Sequence, residues 1–362
     1  MSLCSIKRRE LNIFLIFYIA ITAILVYITP FTQTEADILY SNNLYITDSI
    51  AKLFNNISHQ HWFIRLPFFI LSIVNIIFFI KISEIYIKDN IYRNLAIFIF
   101  LITPGVFVSF IIVNYATVAI FLLLFFIYSY HNKILIAEIL ILVLLFFTNI
   151  ASWVFYLAIS IYTYNKKDWK IFIFSTIFLL ISLFIGVYPI NGVPKGHFIQ
   201  VLGIYGATLS PFYFLAIVYA VYRLGIDKNR TLLWYIVVTF FTISLLLSIR
   251  QKIRITDFTP FIVVSAILVV VVYQNSISIR LKEFQKSYKR VCVIVLTVLL
   301  LETSMALFSY PLYLLLEDKF TIIDTSMYKI AKIAKNSNIK CLKTINRRDK
   351  ALYKYYGIKE CK

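Results

Sequence analysis

Apolar residues run along this chain in long blocks separated by short polar gaps, a pattern that matches membrane spans rather than the alternation of a half-buried sheet. The blocks cover residues 11–29, 66–86, 95–113, 116–130, 134–148, 153–164, 171–190, 209–222, 232–247, 260–273 and 291–308. Each predicts an apolar helix, which gives an all-α polytopic membrane protein with about eleven transmembrane helices. The first block follows Lys7, Arg8 and Arg9; it is longer than a signal-peptide core and no small-residue cleavage site follows it. It predicts an uncleaved span whose N-terminus faces the cytoplasm.

The pattern changes after the last block. Residues 326–336 predict an amphipathic helix with Met327, Ile330 and Ile333 on one face, 339–345 a strand and 348–356 a second helix. Residues 1–309 therefore read as a transmembrane domain, and 310–362 as a small C-terminal α/β domain on the outer, periplasmic face. Cys341 and Cys361 would lie in an oxidising compartment, either as a disulfide or as two free thiols.

Composition agrees with this division. Of 362 residues 61% are apolar and 15% charged, which excludes a disordered or collagen-like chain and an ordinary soluble domain. The excess of 36 Lys and Arg over 17 Asp and Glu would point to nucleic acid in a soluble protein, but here the cations sit in the gaps between spans. Lys88 and Arg93, Lys133, Lys166 with Lys167 and Lys170, Arg223 with Lys228 and Arg230, and Arg280 with Lys282, Lys286, Lys289 and Arg290 occupy the gaps that threading puts inside. The opposite gaps are poorer in cations, so the positive-inside rule orients the N-terminus to the cytoplasm and the C-terminus to the periplasm of a bacterial inner membrane. The cluster Arg250, Lys252 and Arg254 breaks this trend and asks for another purpose. The basic stretch 279–290 suits the anionic surface of membrane lipids.

The chain has no phosphate-binding Walker loop, GxGxxG, GxSxG or HExxH, which removes support for ATP-driven transport, nucleotide cofactors and the common hydrolases. What remains is a set of polar residues on the outer side: Glu35, Asp37 and Asp48, His59 and His61, Arg65, Asn114, His197 and the stretch 250–257. Glu35 and Asp37 follow the first span closely, where carboxylates suit a general base or a cation ligand serving a lipid-linked substrate. With His59 and His61 they form a candidate site for a divalent cation, Mg or Mn, set against the plainer reading of two surface histidines. His197 and Asn114 are further cavity candidates, each with an ordinary loop or cap role as the alternative. Trp62 reads as an interfacial anchor.

The order of Thr34-Glu35-Ala36-Asp37 after the first span, Arg65-Leu66-Pro67 opening the second, Thr103-Pro104-Gly105 in the third, and Arg250, Lys252 and Arg254 before Thr259-Pro260 resembles the GT-C glycosyltransferases of the protein-mannosyltransferase and aminoarabinose-transferase type. The resemblance implies a GT-C-like fold. It also implies Glu35 or Asp37 as catalytic carboxylate, and Arg65, Arg250, Lys252 and Arg254 holding the phosphate of a polyprenyl-phosphate sugar. Glu35 matches the second carboxylate of the family's acidic pair, whose first position is here Thr34. Where the family often carries an acid at the start of the fourth span, this chain has Asn114.

Three functions follow as expectations. The first is transfer of a sugar from a polyprenyl-phosphate donor to a lipid A or lipopolysaccharide, polysaccharide or protein acceptor. The second is a catalytically inactive GT-C-like subunit serving a protein partner that remodels lipopolysaccharide. The third is a lipid-linked glycan transporter, set against by the few ionisable residues inside the spans and by the lack of a visible inverted repeat.

Overall fold

A computed structural model of the protein describes residues 6–41, 43–148, 151–185, 196–227, 230–251, 253–308, 341–342 and 347–360. The helices are α1 (Arg8–Ile28), α2 (Gln33–Leu39), α3 (Ile46–Ile57), α4 (His61–Tyr86), α5 (Asn90–Ile102), α6 (Pro104–Ile111), α7 (Tyr115–His131), α8 (Leu135–Phe146) and α9 (Ser152–Lys166). They continue with α10 (Trp169–Phe184), α11 (Phe198–Leu209), α12 (Pro211–Ile226), α13 (Leu232–Arg250), α14 (Thr259–Ile262), α15 (Ser265–Ile279), α16 (Lys282–Leu307) and α17 (Arg347–Tyr355). A single 3-10 turn, Ile255–Asp257, lies between α13 and α14.

The described residues of all eleven apolar blocks are mainly helical, but not all the helices are long enough to cross a bilayer alone. By length and composition, five continuous helices qualify among the described residues: α1, α4, α13, the α14–α15 unit and α16. The bent pairs α5–α6 and α11–α12 raise the number to seven. Helices α7, α8 and α10, of 17, 12 and 16 residues, fall short, because at about 1.5 Å per residue they do not reach the roughly 30 Å of a hydrocarbon core. The structure thus supports five to seven spans where the hydrophobic pattern predicts eleven.

The bends have local causes. Pro104 cannot continue the hydrogen-bond ladder of α5, and it restricts Thr103 to extended backbone; the axis turns by 60° there. Pro211 breaks α11 from α12 in the same way, with Ser210 at φ +74° and an axis change of 104°. At the centre of the bundle, α5 is buried continuously from Asn94 to Ile102. Its position explains why its sequence shows no polar face. Isoleucine, leucine and phenylalanine side chains on α1, α10 and α12, such as Ile16, Phe184 and Leu215, face outward as expected for contact with lipid.

Two of the C-terminal expectations can be placed. Strand β1 (Cys341–Leu342) pairs in parallel with β2 (Lys359–Glu360), and α17 covers almost the helix expected at 348–356. The helix expected at 326–336 and the partner cysteine Cys361 lie outside the described residues. Helix α17 packs directly on α2, bringing the chain's C-terminal segment against its first interhelical loop. Phe31 and Tyr355 stack with ring centroids 4.1 Å apart, and the Tyr355 hydroxyl donates to the His59 carbonyl at 2.9 Å.

Candidate functional site

Helix α2 begins with a capping box. The Thr32 hydroxyl oxygen accepts from the Glu35 amide at 3.4 Å, and the Glu35 carboxylate accepts the Thr32 amide at 2.8 Å. Glu35 is only 1% exposed, and its carboxylate faces Arg65, itself 1% exposed, from the first turns of α4. Arg65 Nε donates to Oε1 at 2.7 Å and Nη2 to Oε2 at 2.6 Å, the two-pronged geometry that guanidinium and carboxylate favour.

Both partners of this pair are saturated. Glu35 Oε1 also accepts the Val113 amide at 2.9 Å, and Oε2 the Thr32 hydroxyl at 2.9 Å. The remaining N–H groups of Arg65 donate to the carbonyls of Val26, Thr29 and Pro30 at 3.0, 2.7 and 2.8 Å. A guanidinium has five donors, and all five are used. Glu35 and Arg65 therefore tie the end of α1, the start of α2, α4 and the α6–α7 link together, and neither has hydrogen-bonding capacity left for a ligand.

Two residues further along α2, Asp37 is half-buried and lines a cavity of about 760 Å³. The same cavity is walled by Thr34, Ile38, Ser41 and Tyr45, by Pro104, Gly105 and Val108 of α6, by Asn114 and Tyr115 at the start of α7, by Thr208 of α11, and by Arg254, Asp257 and Thr259. Its volume is that of an ordinary small-molecule site. The helix breaks create it. The α5–α6 bend turns Pro104 and Gly105 toward α11, where the position a Gly105 Cβ would take lies 3.0 Å from the Thr208 carbonyl oxygen. Asn114 caps α7 by accepting the Thr117 amide at 3.1 Å.

Electrostatics single out two aspartates, Asp257 and Asp48, for which sequence alone suggests no chemistry. Burial pushes Asp257 up to about 6, a shift that the neighbouring Arg254 guanidinium opposes. Asp48 on α3 is also raised by burial and by the charge of Asp37, against hydrogen bonds from Ser41 and Tyr115 and the charge of Lys52. Tyr45 is raised by burial first and then by Asp257 and Asp48. Asp37, Asp48, Asp257, Arg254 and Tyr45 thus share one electrostatic environment.

The remaining expected site residues are scattered. Arg250 is exposed at the end of α13 and does not line the cavity, and Lys252 lies outside the described residues. His59 Nδ1 pairs with Asn55 Oδ1 at 3.2 Å, His61 Nε2 with the Tyr27 carbonyl at 2.9 Å, and His197 Nδ1 with Gln200 Oε1 at 3.1 Å; none of the three lines the cavity. Glu35, Asp37, His59 and His61 do not converge, and no cluster of three or more His, Cys, Asp or Glu suited to a metal occurs among the described residues. The two histidines lie close to α2 in sequence, but their rings are engaged elsewhere, which spacing alone does not reveal.

Neither a known family profile nor a curated protein matches the chain. Among solved structures, the fold is similar to the crystal structure of ArnT from Cupriavidus metallidurans in the apo state, with a TM-score of 0.51 and 10% sequence identity, covering 89% of this chain and 68% of that one. The likeness shows a fold similar to that of ArnT.

Proposed function

We propose that the protein is a glycosyltransferase of the bacterial inner membrane, moving a sugar from a polyprenyl-phosphate donor to a lipid A or lipopolysaccharide, polysaccharide or protein acceptor on the periplasmic side. One observation carries this reading: Asp37 and Arg254, far apart in the sequence, line the same cavity of an ArnT-like fold. In this scheme Asp37 takes the proton of the acceptor hydroxyl as its oxygen attacks the anomeric carbon. The bond from that carbon to the donor phosphate breaks on the opposite side, and the configuration inverts. Negative charge grows on the departing phosphate, where Arg254, aided by Lys252, stabilises it. Glu35 and Arg65 hold α2 so that Asp37 stays in reach, which makes them positioning residues.

The test uses purified protein in vesicles with labelled polyprenyl-phosphate sugars and membrane glycolipids, with and without divalent cations. Transfer by the wild type, falling by about two orders of magnitude or more in Asp37→Asn, is the expected result. Unchanged transfer by Asp37→Asn ends this mechanism.

A second reading is favoured by the saturated Glu35. The carboxylate matching the family's acidic pair serves structure, and Thr34 stands beside it, as they would in a non-catalytic GT-C-like subunit of a lipopolysaccharide-remodelling partner. Co-purification of a stoichiometric enzyme, with no transfer by this chain alone, would favour it.

A further inference from the structure

A second, smaller cavity of about 260 Å³ is lined by residues 39–41, by α3 and by α17. Ser41 lines both. The described lining of the smaller cavity holds two lysines, Lys52 of α3 and Lys354 of α17, together with Asn55 and Asn56, and no carboxylate. Both ammonium groups line one small space, Lys52 also acting on the Asp48 carboxylate, so an anion that enters would be attracted by both lysines.

Each lysine is held in place by the fold. Lys52 Nζ donates to the Ser41 carbonyl, which uses one of its three N–H groups. Lys354 Nζ sits 4.5 Å from the centroid of the Tyr40 ring. The Asn55 carbonyl oxygen is taken by His59, so the amide NH2 is its other polar group. Ammonium and carboxamide donors around a small cleft match the oxygens of a phosphate.

We infer that Lys52, Lys354, Asn55 and Asn56 form a phosphate-binding site completed by the C-terminal helix. The ligand is a phosphate monoester or diester, carried either by a lipid headgroup or by a soluble molecule. The site is separate from the Arg254 cavity and does not depend on the transfer chemistry proposed above.

The protein in phosphate-free dodecyl maltoside micelles tests it by titration calorimetry with two probes, inorganic phosphate and dihexanoyl phosphatidic acid. Saturable binding of at least one probe is expected, weakened about tenfold or more in Lys52→Met and in Lys354→Gln, and largely retained in Lys354→Arg. Binding of the lipid alone supports a headgroup as the source; binding of both supports a soluble phosphate as well. Lys354 is exposed, so Lys354→Gln reports on binding rather than on folding. Any binding that Arg254→Gln removes belongs to the main cavity, whereas the binding that Lys52→Met and Lys354→Gln weaken should persist in Arg254→Gln. The inference is overturned if neither probe binds in the millimolar range, if the Lys52→Met/Lys354→Gln double variant binds like wild type, or if binding disappears with Arg254→Gln. A protein that binds phosphate here yet transfers no sugar would count against the glycosyltransferase reading alone.

Discussion

Arg65 and Glu35 show how a charge can sit in an apolar bundle: every donor of one and every lone-pair direction of the other is occupied. Removing one partner strands the other. Arg65→Met should destabilise the protein by about 3–5 kcal/mol, whereas Glu35→Met/Arg65→Met should lose less than the sum of the single variants; thermal unfolding in detergent measures both. Asp257 gives a second prediction. Its folded value, about 6, lies above its unfolded one, so the native state holds the extra proton between them and stability falls as pH rises through that window. Above pH 6 the ionised carboxyl costs at most about 3 kcal/mol. Asp257→Asn should therefore raise the unfolding temperature at pH 8 and have little effect near pH 3; an equal effect at both pH values would rule this out. Sequence alone placed Glu35, Asp37, Arg65 and Arg254 on one side of the membrane. It could not tell that Glu35 would be consumed by Arg65 while Asp37, two positions on, lines the cavity, because that depends on which face of a seven-residue helix meets α4.

Among the elements, the two proline breaks shape the cavity. Both prolines are visible in the sequence, yet block 95–113 reads there as one straight span, since apolar periodicity carries no information about the bend angle. Gly105 is required where α6 meets α11. Gly105→Ala would push its methyl against the Thr208 carbonyl oxygen and should cost about 1–3 kcal/mol, again read by thermal unfolding. Ser210 has the opposite sign. It adopts a positive φ that favours glycine, so Ser210→Gly should stabilise the elbow by roughly 1 kcal/mol, and a clear loss would show that the serine hydroxyl matters more than the backbone. Short helices such as α8 explain the excess of predicted spans: their apolar residues are as continuous as those of a span, but there are too few of them.

For the whole molecule, we propose from the distribution of lysine and arginine among the gaps that the N-terminus is cytoplasmic and residue 354 periplasmic. In a cysteine-free background, a Lys354→Cys variant should react with membrane-impermeant maleimide added to the periplasmic side, and a Lys7→Cys variant should not; the reverse pattern would invert the topology. The sequence reading treats residues 310–362 as a separate domain, and nothing in its local composition reveals that α17 lies on α2. That contact joins Tyr355 to His59, 296 positions apart. It has a consequence for biogenesis. The ribosome delivers Tyr355 after helices α1–α16 have been offered to the insertion machinery, so the surface around α2 is completed only once α17 has emerged. Nascent chains arrested just before residue 341 should be inserted normally yet leave that surface open to protease, a checkpoint that quality control could read.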